Sequence, residues 1–195
     1  MIIMEIKASD HVLPMLEGAP KKLKNGLKQA VNGMAREVKR DIYQGVRQRY
    51  TLRGSQFAQK DIRLRAAANA GLMAVLTVEG ETPSLRKGFS ARKNSGKMAA
   101  RAQVLRGGGL KELKMKNGTI KAFVTGVQTG HKGISHYDIF QRDTGSKKYD
   151  GRLPIKTLSG PSRAKLSEKV FQELKEKKET ELERRIWALA ESVMG

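Results

Sequence analysis

Leu23, Leu27, Ala30, Val31, Met34, Ala35, Val38, Ile42 and Val46 recur at three- and four-residue steps, with lysine and arginine between them. A period near 3.6 sustained over that distance demands an amphipathic helix of about eight turns, spanning about residues 20–49. A helix this long must bury its stripe on something. Gly26, Gly33 and Gly45 weaken it by up to about 1 kcal/mol each relative to alanine, so packing has to supply the stability.

A second stripe closes the sequence. Leu166, Val170, Leu174, Leu182, Ile186, Leu189 and Val193 keep helical spacing over about residues 162–193, with Ser162 suited to cap the start. Lys178 falls in the middle of that stripe. The pattern predicts a helix that packs at both ends and bridges solvent or a neighbouring subunit between them.

The stretch between the helices reads as strands, and residues 1–8 alternate loosely enough for one more. Ser55 suits the cap of a short helix through Lys60. Ile62, Leu64 and Ala66 alternate with Arg63 and Arg65, and Leu72 to Val78 returns after the turn Asn69-Ala70-Gly71. Residues 80–98, with Gly80, Pro83, Gly88 and Gly96, read as a long mobile basic loop. Ala99 to Leu105 is a strand ended by a flexible joint at Gly107-Gly108-Gly109. Lys116-Asn117-Gly118-Thr119 between Leu113, Met115 and Ile120, Ala122, Val124 marks a hairpin, because Asn-Gly accepts the positive φ angles of a type I′ turn. His131 to Arg142 gives a further strand. The expected fold class is α+β: one domain over 1–195, with an antiparallel sheet over about 62–158, curved or barrel-like in the limit, flanked by long N- and C-terminal helices.

Charge narrows the function. The net charge is +20, and its location matters more than its size. Residues 21–53 carry ten basic side chains against Glu37 and Asp41, and residues 86–132 carry twelve against Glu112. The last helix is nearly neutral. Such a surplus attracts polyanions, nucleic acid first. The basic stretches lack aromatic interleaving of the kind that stacks bases, and show no zinc-finger ligands or helix-turn-helix pattern, so any DNA contact is expected to be with phosphates and independent of base sequence.

Catalytic constellations do not assemble. Cysteine is absent, which excludes disulfides and thiolate metal sites and fits a reducing compartment. The start lacks the order of a signal peptide, and the longest nearly apolar run, Ala66 to Val78, is too short for a membrane span. Gly88 to Gly96-Lys97 fails the spacing of a nucleotide loop, with Met98 where a hydroxyl would hold magnesium. His131 and His136 lie near Asp138 and Asp143, but five residues apart on a strand they point to opposite faces. Gly133-Ile134-Ser135-His136-Tyr137 departs from the nucleophile elbow at its last position. The expectation is no catalytic residue, no metal and no cofactor.

Arg152-Leu153-Pro154-Ile155-Lys156-Thr157-Leu158-Ser159-Gly160-Pro161-Ser162, leading directly into the last helix, resembles the corresponding stretch of the prophage minor tail protein Z family, the lambda-like tail completion proteins. Phe123-Val124-Thr125-Gly126 through Gly130-His131-Lys132-Gly133, then Ile139-Phe140-Gln141-Arg142, is similar to that family's strand, Gly-His turn and strand ending in Phe-x-Arg. The long first helix followed by Tyr50-Thr51-Leu52 also fits. Residues 80–98 and the glycine triplet have no counterpart in the pattern.

The resemblance implies a non-catalytic structural protein that finishes the head-proximal end of a phage tail. It resides in the virion tail, and in the host cytoplasm during assembly. Implied partners are copies of itself in a homo-oligomeric ring, a hexamer being the common case, and other tail and neck proteins; non-specific DNA contact is a further expectation, and no membrane is involved. Physically, Pro154 confines its strand to a sheet edge or ends it, and exposed edges invite pairing. Leu153, Pro154, Ile155, Gly160, Pro161 and Ser162 are therefore expected at the subunit interface, against the plainer reading of a strand-to-helix corner. Arg86, Lys87, Arg92, Lys93 and Lys97 are expected to face a channel or DNA. The competing class is a sequence-independent nucleic-acid-binding protein with no virion role.

Overall fold

The computed structural model describes residues 1–8, 20–68, 72–93, 99–114, 120–128, 135–145 and 154–194. The fold is α+β: short antiparallel sheets with a long helix near each end of the chain. Two compact units carry it, the first from residues 1–46, 58–81 and 163–195, the second from 47–57 and 82–162.

In the first unit, α1 (Lys21–Arg49) and α3 (Arg163–Met194) are the stripes read from the sequence. Leu23, Leu27, Val31, Met34, Ala35, Val38, Ile42 and Val46 are all buried, and so are Leu166, Val170, Leu182 and Ile186. The helices run antiparallel: Gly26 lies beside Leu189, and Gly45 beside Val170. At Gly45 a Cβ would come within 2.6 Å of Val170 Cγ1, so the glycine that costs helix propensity permits the close crossing.

The middle of α3 does not bridge solvent as its charge suggested. Lys178 reaches Asp41 at 3.0 Å, Glu181 at 3.4 Å and Glu37 at 3.7 Å, so the interruption in the stripe is an ion-pair network against α1. Sequence periodicity sees only that the position is not apolar. What the ammonium faces is set by the partner helix.

β1 (Ile2–Lys7), β2 (Ile62–Arg65) and β3 (Met73–Val78) form an antiparallel sheet in the order β1-β3-β2. Met4 pairs with Leu76 and Ile6 with Ala74, and these side chains are buried on one face. Ile3, Met73, Arg63 and Arg65 lie exposed on the other, the alternation that a one-sided sheet requires. The turn at 69–71 lies outside the described residues. A buried Asn32, which the apolar stripe hides, accepts the Ala67 N–H at 2.7 Å. Where a short capped helix was expected after Ser55, two 3-10 turns stand instead, Gly54–Gln56 and Gln59–Asp61.

The second unit holds two three-stranded sheets. One is β4 (Ser90–Arg92), β5 (Arg101–Gln103) and β6 (Lys111–Glu112); the other is β7 (Phe123–Gln128), β8 (Ser135–Arg142) and β9 (Ile155–Thr157). Ala100 joins them, donating to Ala122 O at 2.8 Å and accepting from Leu113 N–H at 2.9 Å. The Asn117-Gly118 turn lies outside the described residues, while its flanks pair antiparallel at Lys114 and Lys121. The triple glycine, expected to be a loose joint, is a hydrogen-bonded 3-10 turn over Arg106–Gly108 with Gly109 at φ 64°.

The largest departure from expectation is at 80–98. In place of a long loop, α2 (Leu85–Gly88) and β4 occupy residues 85–92, and Leu85 and Phe89 are buried. Glycine and proline content argued for a loop, but Ser84 caps the turn by accepting the Lys87 N–H, and Leu85 donates to Leu158 O. Four residues of helix are too few to show a period, so only long-range hydrogen bonds reveal the element.

Candidate nucleic-acid interface

The second unit carries a cleft of about 440 Å³. Arg53, Arg86, Lys87, Arg92 and Lys93 line it, with Ala91, Val124 and Ile139 as its apolar part, and no carboxylate among the described residues. Four of the five cations expected from the sequence to face DNA are thus brought together. Lys97 lies outside the described residues.

Each cation has a definite mount. Arg86 and Lys87 stand on α2, whose first turn Ser84 caps. Arg86 is fixed twice by Tyr137: Nη1 donates to its carbonyl oxygen at 2.8 Å, and the guanidinium lies over its ring at 5.5 Å. That ring rests against Gly126, its register partner, where a Cβ would meet it at 2.9 Å. Arg92 ends β4 and Lys93 follows it.

Arg53 was not singled out from the sequence. It arrives because its N–H donates to Gly88 O at 2.8 Å, tying the segment after α1 to α2. Nothing local marks it apart from the other basic residues of 21–53. Tyr137 was missed for a similar reason: it lies outside both basic runs, and the fold brings it to Arg86 from β8.

The single acid of residues 86–132 does not offset this cleft. Glu112 holds Lys114 at 2.5 Å and Arg101 at 3.7 Å. The hydrogen bond from Lys114 holds its carboxyl below the ordinary glutamate range. Five cations around one concavity whose described lining holds no carboxylate attract a polyanion and release its counterions on contact.

β8 has a second face. His136 Nε2 lies 3.2 Å from Asp138 Oδ2, and Asp138, fully buried, accepts the Ile139 N–H at 2.8 Å. By strand alternation this pair lies opposite Tyr137 and Ile139. His131, considered with it in the sequence, lies outside the described residues, while Asp143 pairs with Lys156 at 3.3 Å.

The residues expected at a subunit interface are disposed as follows. Leu153 lies outside the described residues. Pro154 sits immediately before β9, an edge strand of its sheet among the described residues, and its carbonyl accepts the Asp143 N–H at 2.7 Å. Ile155 begins β9, opposite Arg142. Gly160 donates to Pro83 O at 2.9 Å, and the Phe89 ring occupies the space that a Cβ would need. Pro161 and Ser162 are half-buried, and α3 starts at the next residue.

Compared with known proteins, the model of the family described as prophage minor tail protein Z (GPZ) matches residues 7–190. No curated protein and no solved structure matches the chain.

Proposed function

Because this chain belongs to the prophage minor tail protein Z family, a structural family of phage tails, we propose that it acts by self-assembly at the head-proximal end of the tail, as a non-catalytic completion protein. The observation that carries this reading is the match over nearly the whole chain. Copies of one subunit joined head to tail close into a ring when the rotation per copy is right, and the proposed ring is sixfold.

Two surfaces support contacts with other copies or with tail and neck proteins. Among the described residues, the β9 edge at Ile155–Thr157 has β8 on one side only, and unpaired edges accept further strands. On α3, the chain's single tryptophan, Trp187, is 46% exposed, and exposed tryptophan is typical of interface anchors. The buried stripe of α3 is already used against α1, so only its outward side is available. The basic cleft suits the DNA that such a tail conducts, through phosphates and without base specificity.

Sedimentation or native mass measurement across a concentration series, paired with a duplex titration, tests the proposal. Closed oligomers with weak duplex binding are the expected result. A monomer that binds DNA tightly, with a steep salt dependence, would overturn it in favour of a nucleic-acid-binding protein with no virion role. In virions, changing Arg86, Lys87, Arg92 and Lys93 together to neutral residues should reduce DNA retention and leave assembly intact.

A further inference from the structure

A duplex presents phosphate and sugar to a protein that cannot enter its grooves, so a site shaped for duplex contact needs cations and nothing else. The cleft has more. Below its cationic rim lie Val124 and Ile139, register partners on β7 and β8, the first half-buried and the second fully buried. About 440 Å³ is far too small for a double helix, roughly 20 Å across, and large enough for about one nucleotide with its phosphate.

The next register pair along the same face is Gly126 and Tyr137. The Tyr137 ring lies there, half exposed, with the Arg86 guanidinium over it. A guanidinium held against a ring keeps a planar, charged surface at the mouth of the cleft, and such planes accept stacked bases as well as phosphates. Cations, apolar side chains and an arginine held over a ring together match the two chemistries of an unpaired nucleotide.

We propose that this cleft takes single-stranded polynucleotide: the rim cations hold phosphates while an unpaired base settles on Val124 and against Arg86. The inference rests on the reading that nucleic acid is what the cleft meets, and it adds that the strand is unpaired there. Arg86 touches the ligand directly. Tyr137 is a positioning residue that acts through it.

The test uses the full chain in its native assembly state and three probes of equal length: oligothymidine, the same sugar–phosphate chain without bases, and a duplex. Anisotropy titrations at fixed salt should rank oligothymidine about tenfold above both others. Val124→Thr, nearly isosteric, should reduce that preference while leaving the salt slope unchanged. Tyr137→Leu should weaken oligothymidine more than the baseless chain, because it removes the ring that holds the Arg86 guanidinium. Equal affinity for the baseless chain or the duplex overturns the proposal and leaves nucleic acid at the cleft. No salt-dependent binding of any probe overturns the nucleic-acid reading as well. Tighter binding of polyglutamate than of oligothymidine would assign the cleft to an acidic polypeptide and also overturn it. Self-association, read on the same samples by sedimentation, reports separately on assembly.

Discussion

Arg185 grips Glu37 with two parallel hydrogen bonds, Nη1 to Oε1 at 2.9 Å and Nη2 to Oε2 at 3.0 Å, joining the last helix to the first across 148 residues of chain. The same guanidinium reaches Glu181 at 2.5 Å. A planar fork on a carboxylate is the strong form of ion pair, although both side chains here remain about one-third exposed and are screened. A double-mutant cycle on Arg185→Ala and Glu37→Ala is expected to give a coupling of about 1 kcal/mol. Arg185→Lys should lose most of it, since an ammonium cannot make the paired bonds. Zero coupling would remove this pair from the account of stability.

Lys178 offers a second test with a counter-intuitive sign. Burial pulls its ammonium down, and the carboxylates of Asp41 and Glu181 together outweigh that pull and raise its pKa above the ordinary lysine value. Lys178→Leu would complete the apolar stripe of α3 yet leave Glu37, Asp41 and Glu181 facing one another with one cation fewer. A loss of about 1–2 kcal/mol is expected by chemical denaturation. A gain in stability would show that hydrophobic continuity outweighs the network.

Acid should loosen the protein through identifiable carboxylates. The hydrogen bond from Arg185 holds Glu181 below the ordinary value of 4.5, and Lys114 does the same to Glu112. A carboxyl depressed in the folded state stabilises fully above its ordinary value, and that contribution disappears as pH falls through the lower folded value. Tm is therefore expected to decline on acidification below 4.5. The decline should be shallower in Glu181→Gln, which a pH series of thermal melts would reveal.

Two glycines of α1 should respond in opposite directions to alanine. At Gly33 a Cβ meets nothing within 4 Å, so Gly33→Ala should stabilise by about 0.5–1 kcal/mol through helix propensity. At Gly45 the Cβ meets Val170, buried and branched, at 2.6 Å, so Gly45→Ala should destabilise despite the same propensity gain. Val170→Ala in the Gly45→Ala background should recover part of the loss. Equal shifts for both glycines would contradict the close crossing of α1 and α3.

Gly160 should be intolerant for a different reason. The Phe89 ring, fully buried, lies where its Cβ would stand. Gly160→Ala is expected to cost about 1–3 kcal/mol, the usual penalty for overfilling a packed site. Phe89→Leu should soften that penalty. If Gly160→Ala instead leaves folding intact and blocks only oligomerisation, the residue belongs to an intersubunit seam.

Residue order alone was enough for whatever depends on neighbours a few positions apart. The stripes from Leu23 to Val46 and from Leu166 to Ile186 specify two helices, because a 3.6-residue period puts those side chains on one face whatever surrounds them. The alternation at Ile62–Arg65 and the Leu-Pro-Ile to Gly-Pro-Ser segment were legible on the same local terms. The meeting of Arg53 with Arg86, the platform that Tyr137 makes for that arginine, the turn of helix at Leu85–Gly88 and the carboxylates around Lys178 were not. Each depends on a hydrogen bond or a packing contact between residues far apart in the chain, and such contacts leave no period to read. Local chemistry supplied the helices and a surplus of positive charge; the folded backbone chose which charges would share one cleft.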